Sequence, residues 1–476
     1  MEWKEVRLGE VCSISSSKRI FASEYKNEGI PFYRGKEIIE KQKGNNISTE
    51  LFISHERYIE IKSKFGVPQK GELLLTSVGT LGIPYVVKDE EFYFKDGNLT
   101  WFRNFDGLNS LYLYYWFLSP EGRHEIDTKA IGSTQKALTI DALSKFCVKL
   151  PNIKTQEQII NILSSLDAKI ENNNKINANL EAQAAALFKS WFVDFEPFKD
   201  GEFVESELVM IPKGWKVGTL SEFIEVKYGK DHKKLADGDI PVYGSGGLMR
   251  KVENFLYDGE SVLIPRKGTL NNVLYVDEKF WSVDSMFYTI MKIPNVALFV
   301  YQFLVTKDLA SMNAGSAVPS MTTDILNKMS VIIPPVEILE SFNKIVKCLY
   351  EKIHHNDKEN QSLSSLRDTL LPKLMSGEIE LPDDDVLKFC KYYKGELENP
   401  YQSGTLPYFY WREEANFFNH VYNDPSVYKH WEEITENCGK VAFCIPMDVF
   451  NSLPKPTQVM IVMATWQAWN MQPWGG

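Results

Sequence analysis

The chain has 476 residues, is 44% hydrophobic and 13% aromatic, and carries a formal net charge of −10. That length corresponds to about three domains with ample apolar content for packed cores. No apolar run approaches the ~20 residues that span a bilayer, and the start Met1-Glu2-Trp3-Lys4-Glu5 is not a basic leader before an apolar stretch, so a cytoplasmic protein is expected.

In residues 1–150, short β-type runs alternate with turn signals. Glu72–Ser77 and Tyr85–Val87 flank Gly79-Thr80-Leu81-Gly82, which reads as two strands joined by a glycine turn. An apolar stretch at about 108–118 reads as a helix.

Residues 151–195 form one long helix by their period. Ile159, Leu163, Leu166, Ile170, Asn173, Asn177, Leu180, Ala184, Leu187 and Trp191 alternate steps of four and three, which is coiled-coil spacing. A connector, 196–211, follows.

Residues 212–333 repeat the mixed pattern of the first segment. Ser261–Ile264 and Val273–Val276 flank Arg266-Lys267-Gly268-Thr269, and 295–305 reads as a helix. Gly244-Ser245-Gly246-Gly247 has no helix after it and reads as a turn rather than a dinucleotide loop.

Residues 334–380 then give a second long helix. Adding 183 to each position of the first seam gives Phe342, Val346, Leu349, Ile353, Asn356, Asn360, Leu363, Arg367, Leu370 and Leu374. The apolar pattern breaks at Arg367, but both asparagines repeat. An asparagine in an apolar seam costs stability unless its amide is partnered, and it is tolerated where it fixes register. Antiparallel helices would bring Asn173 to Asn360 and Asn177 to Asn356.

The duplication extends beyond the helices. Leu150-Pro151 matches Ile333-Pro334, Gly132-Ser133 through Leu138-Thr139 matches Gly315-Ser316 through Met321-Thr322, Gly79-Thr80-Leu81 matches Gly268-Thr269-Leu270, Ile30-Pro31-Phe32-Tyr33 matches Ile240-Pro241-Val242-Tyr243, and Trp3-Lys4 matches Trp215-Lys216. The fold class expected is α+β: two globular domains alternating with two long helices that form an antiparallel coiled coil, followed by a small additional C-terminal domain. That last piece, 381–476, follows the acidic run Asp383-Asp384-Asp385. From 383 onward it holds 18 aromatics in 94 residues, too many for a disordered tail, so a folded module of underived role is expected.

Charge divides by segment. Residues 1–150 hold 21 Lys+Arg against 20 Asp+Glu and residues 212–333 hold 14 against 13, or +1 each, while the helices, connector and tail are acidic. Two near-neutral domains can bind DNA if their basic residues gather on one face. The six cysteines, Cys12, Cys147, Cys348, Cys390, Cys438 and Cys444, include no CxxC pair, so neither a disulfide framework nor a metal site is expected. No P-loop and no Asn/Asp-Pro-Pro-Tyr/Phe occurs, and His354-His355 occupy adjacent, not same-face, positions, so no catalytic residues are assigned.

The layout, with Gly132-Ser133-Thr134-Gln135 before Leu150-Pro151 and the Gln156-Glu157-Gln158-Ile159-Ile160 run that leads to Leu166-Asp167 and Lys169-Ile170, resembles the specificity subunit of type I restriction-modification systems. The resemblance covers residues 1 to about 380. The second copy departs from it, having Ile338-Leu339-Glu340 where the Gln-Glu-Gln cluster would fall, and keeps Lys352-Ile353.

The resemblance implies that each globular segment is a target-recognition domain reading one half of a bipartite double-stranded DNA sequence. It also implies that the helices set the spacing and dock two modification (methyltransferase) subunits, with restriction (translocase/nuclease) subunits joining for cleavage in phage defence. No cofactor is expected on this chain: S-adenosylmethionine would sit in the modification subunit, and ATP with Mg in the restriction subunit. The alternative is an unpartnered DNA-binding regulator or inhibitor of the same fold.

Base readout needs long polar side chains in a groove, and phosphate contacts need Lys, Arg, Ser, Thr or backbone N–H groups. In the first domain the candidates are Lys18, Arg19, Tyr33, Arg34, Lys36, Ser77, Thr80, Ser133, Gln135 and Lys136. In the second they are Lys230, His232, Lys233, Lys234, Tyr243, Ser245, Arg266, Lys267, Thr269 and Ser316.

Overall fold

A computed structural model describes residues 3–42, 44, 47, 51–132, 136–312 and 320–379. Ser133, Gln135, Ser316 and the module 381–476 lie outside the described residues. The described residues divide into two compact units, one built from those in 3–167 together with 364–379 and the other from those in 168–363. Each contains one globular segment and a part of both long helices.

In the first unit, Lys4–Arg7 pairs antiparallel with Cys147–Leu150, which closes the globular segment at the point where the helix begins. Its four-stranded sheet runs in the order Ser13–Ser15, Leu99–Arg103, Leu73–Thr76, Pro84–Val86. The run Leu73-Leu74-Leu75-Thr76 is buried on both faces, as a central strand with a continuous apolar sequence must be. A smaller sheet places Ile30–Tyr33 between Phe52–Ile53 and Tyr93–Phe94, the latter pair parallel. The helix expected at about 108–118 spans Ser110–Leu118, capped by Asn109, whose side chain accepts from the Leu111 amide.

The second unit repeats this plan with a larger sheet. Lys216–Thr219 pairs antiparallel with Ser330–Ile333, as the first and last strands of the other globular segment do. Six strands follow the order Ile224–Tyr228, Met286–Met291, Tyr257–Pro265, Leu274–Ser282, Ile240–Gly244, Gly247–Val252. Ile240–Gly244 runs parallel to its neighbour Leu274–Ser282, as Ile30–Tyr33 runs parallel to Tyr93–Phe94. The strands extend beyond the sequence expectation because Tyr257–Pro265 and Leu274–Ser282 form a long antiparallel ladder whose polar outer ends carry no apolar signal.

The long helices span Ile153–Phe192 and Val336–Ser376. Asn152 caps the first by accepting from the Thr155 amide at 2.9 Å. Gly377, at φ +77°, ends the second in the left-handed conformation, and a Cβ there would lie 2.9 Å from the Trp3 ring.

In the second unit the two helices run antiparallel. Asn173 donates to Asn360 at 3.0 Å and to Glu359 at 2.6 Å, while Asn356 donates to Asn177 at 2.7 Å and Asn177 to Asp357 at 2.8 Å. Asn173 and Asn356 are each 1% exposed. Burial holds the Asp357 carboxyl above its ordinary pKa, against the pull of His354 and the Asn177 amide. Toward its C-terminal end the first helix enters the second unit's core, where Phe188 and Phe192 pack on Phe299 and Phe342 with ring centroids 4.9–6.1 Å apart.

Candidate nucleic-acid interface

Both globular segments present a loop directly after a buried central strand, and both tie it down in the same way. In the first, the Leu138 amide donates to the Ser77 carbonyl at 2.9 Å, and Val78 bridges Ala137. In the second, the Met321 amide donates to the Arg266 carbonyl at 2.9 Å, and Lys267 bridges Ser320. The following residues, Thr139 and Thr322, cap short helices by accepting from the Ala142 and Ile325 amides. The apolar-Thr pair repeated in the sequence is therefore a buried anchor followed by a helix cap, and it sets where each loop stands.

Beside this closure lies a cleft of about 530 Å³ in the first domain, lined by Arg34, Gly35, Lys36, Ile39, Glu40, Val78, Thr80 and Asn98, with Lys36 paired to Glu40 at 3.7 Å. Lys36, Thr80 and Lys136 are exposed, and the Gly79 amide donates to the Lys136 carbonyl at 3.3 Å. Gly79 takes φ +82°, which a side chain would resist. Lys36, from a helix, and Thr80, from a loop, thus share one cleft, and Lys136 is tied to the Thr80 loop through the Gly79 backbone. Asn98 joins them without having been singled out; its carbonyl accepts from the Ser77 amide at 2.8 Å, a contact invisible before the strands are placed.

Other first-domain candidates have different roles. Tyr33 is buried with its ring stacked on Phe92 at 4.6 Å, so it belongs to the core. Ser77 is also buried, and its hydroxyl is spent on Thr100 at 2.5 Å and the Leu75 carbonyl at 3.1 Å. Arg34 pairs with the fully buried Glu37 at 2.6 Å. Burial pushes the Glu37 carboxyl up, but the bonds from the Arg34 side chain and backbone outweigh it and hold the group below the usual carboxylate range. Arg34 thereby fixes the start of the Gly35–Gln42 helix on the cleft wall. Lys18 and Arg19 are exposed; Arg19 pairs with Asp96 at 2.8 Å, and Lys18 lies over the Phe65 ring.

In the second domain the loops at 244–247 and 266–272 come together. Asn272 donates to the Ser245 carbonyl at 2.8 Å, and a Cβ on Gly268 would meet the Ser245 hydroxyl at 2.8 Å. Lys267 and Thr269 are exposed beside them. Tyr243 donates to Glu278 at 2.8 Å and packs on Phe280, so it braces the sheet as Tyr33 does in the first domain. Lys230, Lys233 and Lys234 are exposed in the loop after Ile224–Tyr228, with His232 half-buried. The Lys230 backbone is held on both sides, donating to Ser282 at 2.8 Å and accepting from the Trp281 indole at 2.9 Å.

The model of the type I restriction modification DNA specificity domain matches residues 1–182 and 212–365. The chain belongs to that family. Among curated relatives, the type I restriction enzyme MjaIX specificity subunit of Methanocaldococcus jannaschii is 31% identical over 345 residues, covering 66% of this chain and 79% of its own. The HindI specificity subunit of Haemophilus influenzae is 24% identical and is covered completely, over 79% of this chain. The crystal structure of a type I S subunit from M. genitalium shares the fold, with a TM-score of 0.50 at 19% identity over 78% of this chain and 96% of that one.

As a specificity subunit, the chain selects DNA sequence and is non-catalytic by itself, working with the modification and restriction subunits of a type I system. Among the described residues no helix is long and apolar enough to cross a membrane.

Proposed function

We propose that residues 1–150 and 212–333 are target-recognition domains, each reading one half of a bipartite DNA sequence. The helices at 151–195 and 334–380, with the connector 196–211 between copies, hold the two readers and dock two modification subunits. In that cytoplasmic complex S-adenosylmethionine belongs to the modification subunits, and ATP with Mg to the restriction subunits. The observation that carries the reading is the repeated loop closure, Leu138 on Ser77 and Met321 on Arg266, which gives both domains an anchored, polar loop cluster in equivalent positions. Two different clusters on a duplicated frame suit two unrelated half-sites, whereas identical ones would require a palindrome.

The contacts proposed for the first half-site are Lys36, Thr80 and Lys136, and for the second Ser245, Arg266, Lys267 and Thr269, with Lys18, Arg19, Lys230, Lys233 and Lys234 on phosphates. Footprinting of the full complex with Lys36→Ala and Lys136→Ala tests this. Protection should weaken over one half-site only. Equal loss over both halves would contradict the division of labour.

A further inference from the structure

We infer that Arg266 reads a guanine in the second half-site, with Tyr228 as the residue that positions it. This rests on the recognition role proposed above.

Four observations fix the arginine before any DNA arrives. Its backbone amide donates to the Ser285 carbonyl at 2.8 Å, and its own carbonyl accepts from the Met321 amide at 2.9 Å. Its guanidinium lies over the Tyr228 ring, 5.3 Å from the centroid. Its Nη1 donates to the Asp284 carbonyl at 3.3 Å. The Tyr228 ring is in turn set edge-to-face on the buried Phe287 at 5.0 Å, yet the residue remains 54% exposed.

A stacked and hydrogen-bonded guanidinium has a defined plane, which is what bidentate bonding to the O6 and N7 edge of guanine requires. A phosphate contact needs only charge and reach, which the neighbouring exposed Lys267 supplies. The first domain has no such device at this place, since the residue whose carbonyl takes the equivalent bond is Ser77, buried and hydrogen-bonded inward. The two half-sites should therefore differ at the corresponding position.

The test uses the full chain in complex with its modification subunit and maps methylated sequences, the first half-site serving as internal control. Arg266→Ala and Arg266→Lys should both relax one G·C position of the second half-site by roughly 5- to 150-fold, the range of one bidentate base contact, and leave every other position intact. Tyr228→Ala should relax the same position while Tyr228→Phe, which keeps the ring, should not. A duplex with 7-deazaguanine at that position should bind the wild type more weakly and the Arg266→Ala complex unchanged. If Arg266→Lys preserves the motif and Arg266→Ala weakens all sequences uniformly with a shallower salt slope, Arg266 is a phosphate contact and the inference is overturned. It is equally overturned if no position relaxes in a complex that melts as the wild type does. A wild-type complex with no motif at all would instead remove the recognition role.

Discussion

Position 156 and its counterpart 183 residues later show how one scaffold tolerates opposite chemistry. Gln156 is fully buried; it accepts from the Asn109 amide at 2.8 Å and donates to the carbonyls of Gly107 at 2.9 Å and Pro151 at 3.0 Å, fastening the helix start to the domain it leaves. Leu339 at the matching place is buried in an apolar core. At the 183-residue offset the Gln-Glu-Gln cluster falls on Leu339-Glu340-Ser341, one place on from Ile338, so the departure at its first position is a change from polar pinning to packing. Gln156→Ala leaves three backbone groups without that partner, so a loss of about 1–3 kcal/mol is expected, read as a melting temperature several degrees lower. Arg367, the break in the second seam, pairs with Asp167 at 2.8 Å, and Asp167 also accepts from Tyr115 at 2.7 Å. Arg367→Leu restores the apolar pattern but leaves the Asp167 carboxylate without its cation, holding the Tyr115 hydroxyl alone, and should cost about 1 kcal/mol at this partly exposed pair. Thermal melts of the double variant with Asp167→Asn should recover most of it.

At the scale of elements, the helices were the most legible part of the sequence, because a period sustained over ten seam positions leaves little freedom and the repeated asparagines required partners. The sheets were legible only at their apolar centres. Tyr33 and Ser77 are buried rather than presented to solvent, and the sequence does not show it for a physical reason: a polar atom on a strand end looks the same whether it faces solvent or, like Ser77, meets Thr100 across 23 residues. The Arg266–Tyr228 stack joins residues 38 positions apart and has no local signature. The asparagine layers give a prediction of their own. Replacing Asn177 and Asn356 with leucine, together with Asp357→Asn so that the carboxylate Asn177 holds is not left without its donor, removes a buried polar layer and should loosen register. Cysteine pairs placed along the seam would detect this as cross-links at shifted positions, whereas a single set of cross-links would mean that the asparagines do not set register.

In the whole molecule proposed above, the helices fix half-site spacing. Adding one heptad to both preserves the seam phase and lengthens the pair by ~10 Å at ~1.5 Å per residue, or about three base pairs at ~3.4 Å each. The mapped spacer should grow by about that amount with both half-sites unchanged. The most direct measurement is to co-express the chain with its modification subunit in a methylation-free host and map modified adenines by single-molecule sequencing. One bipartite motif is expected, and it should disappear when this chain is omitted. Modification without a bipartite motif, or a motif that persists without the chain, would contradict the proposed recognition role.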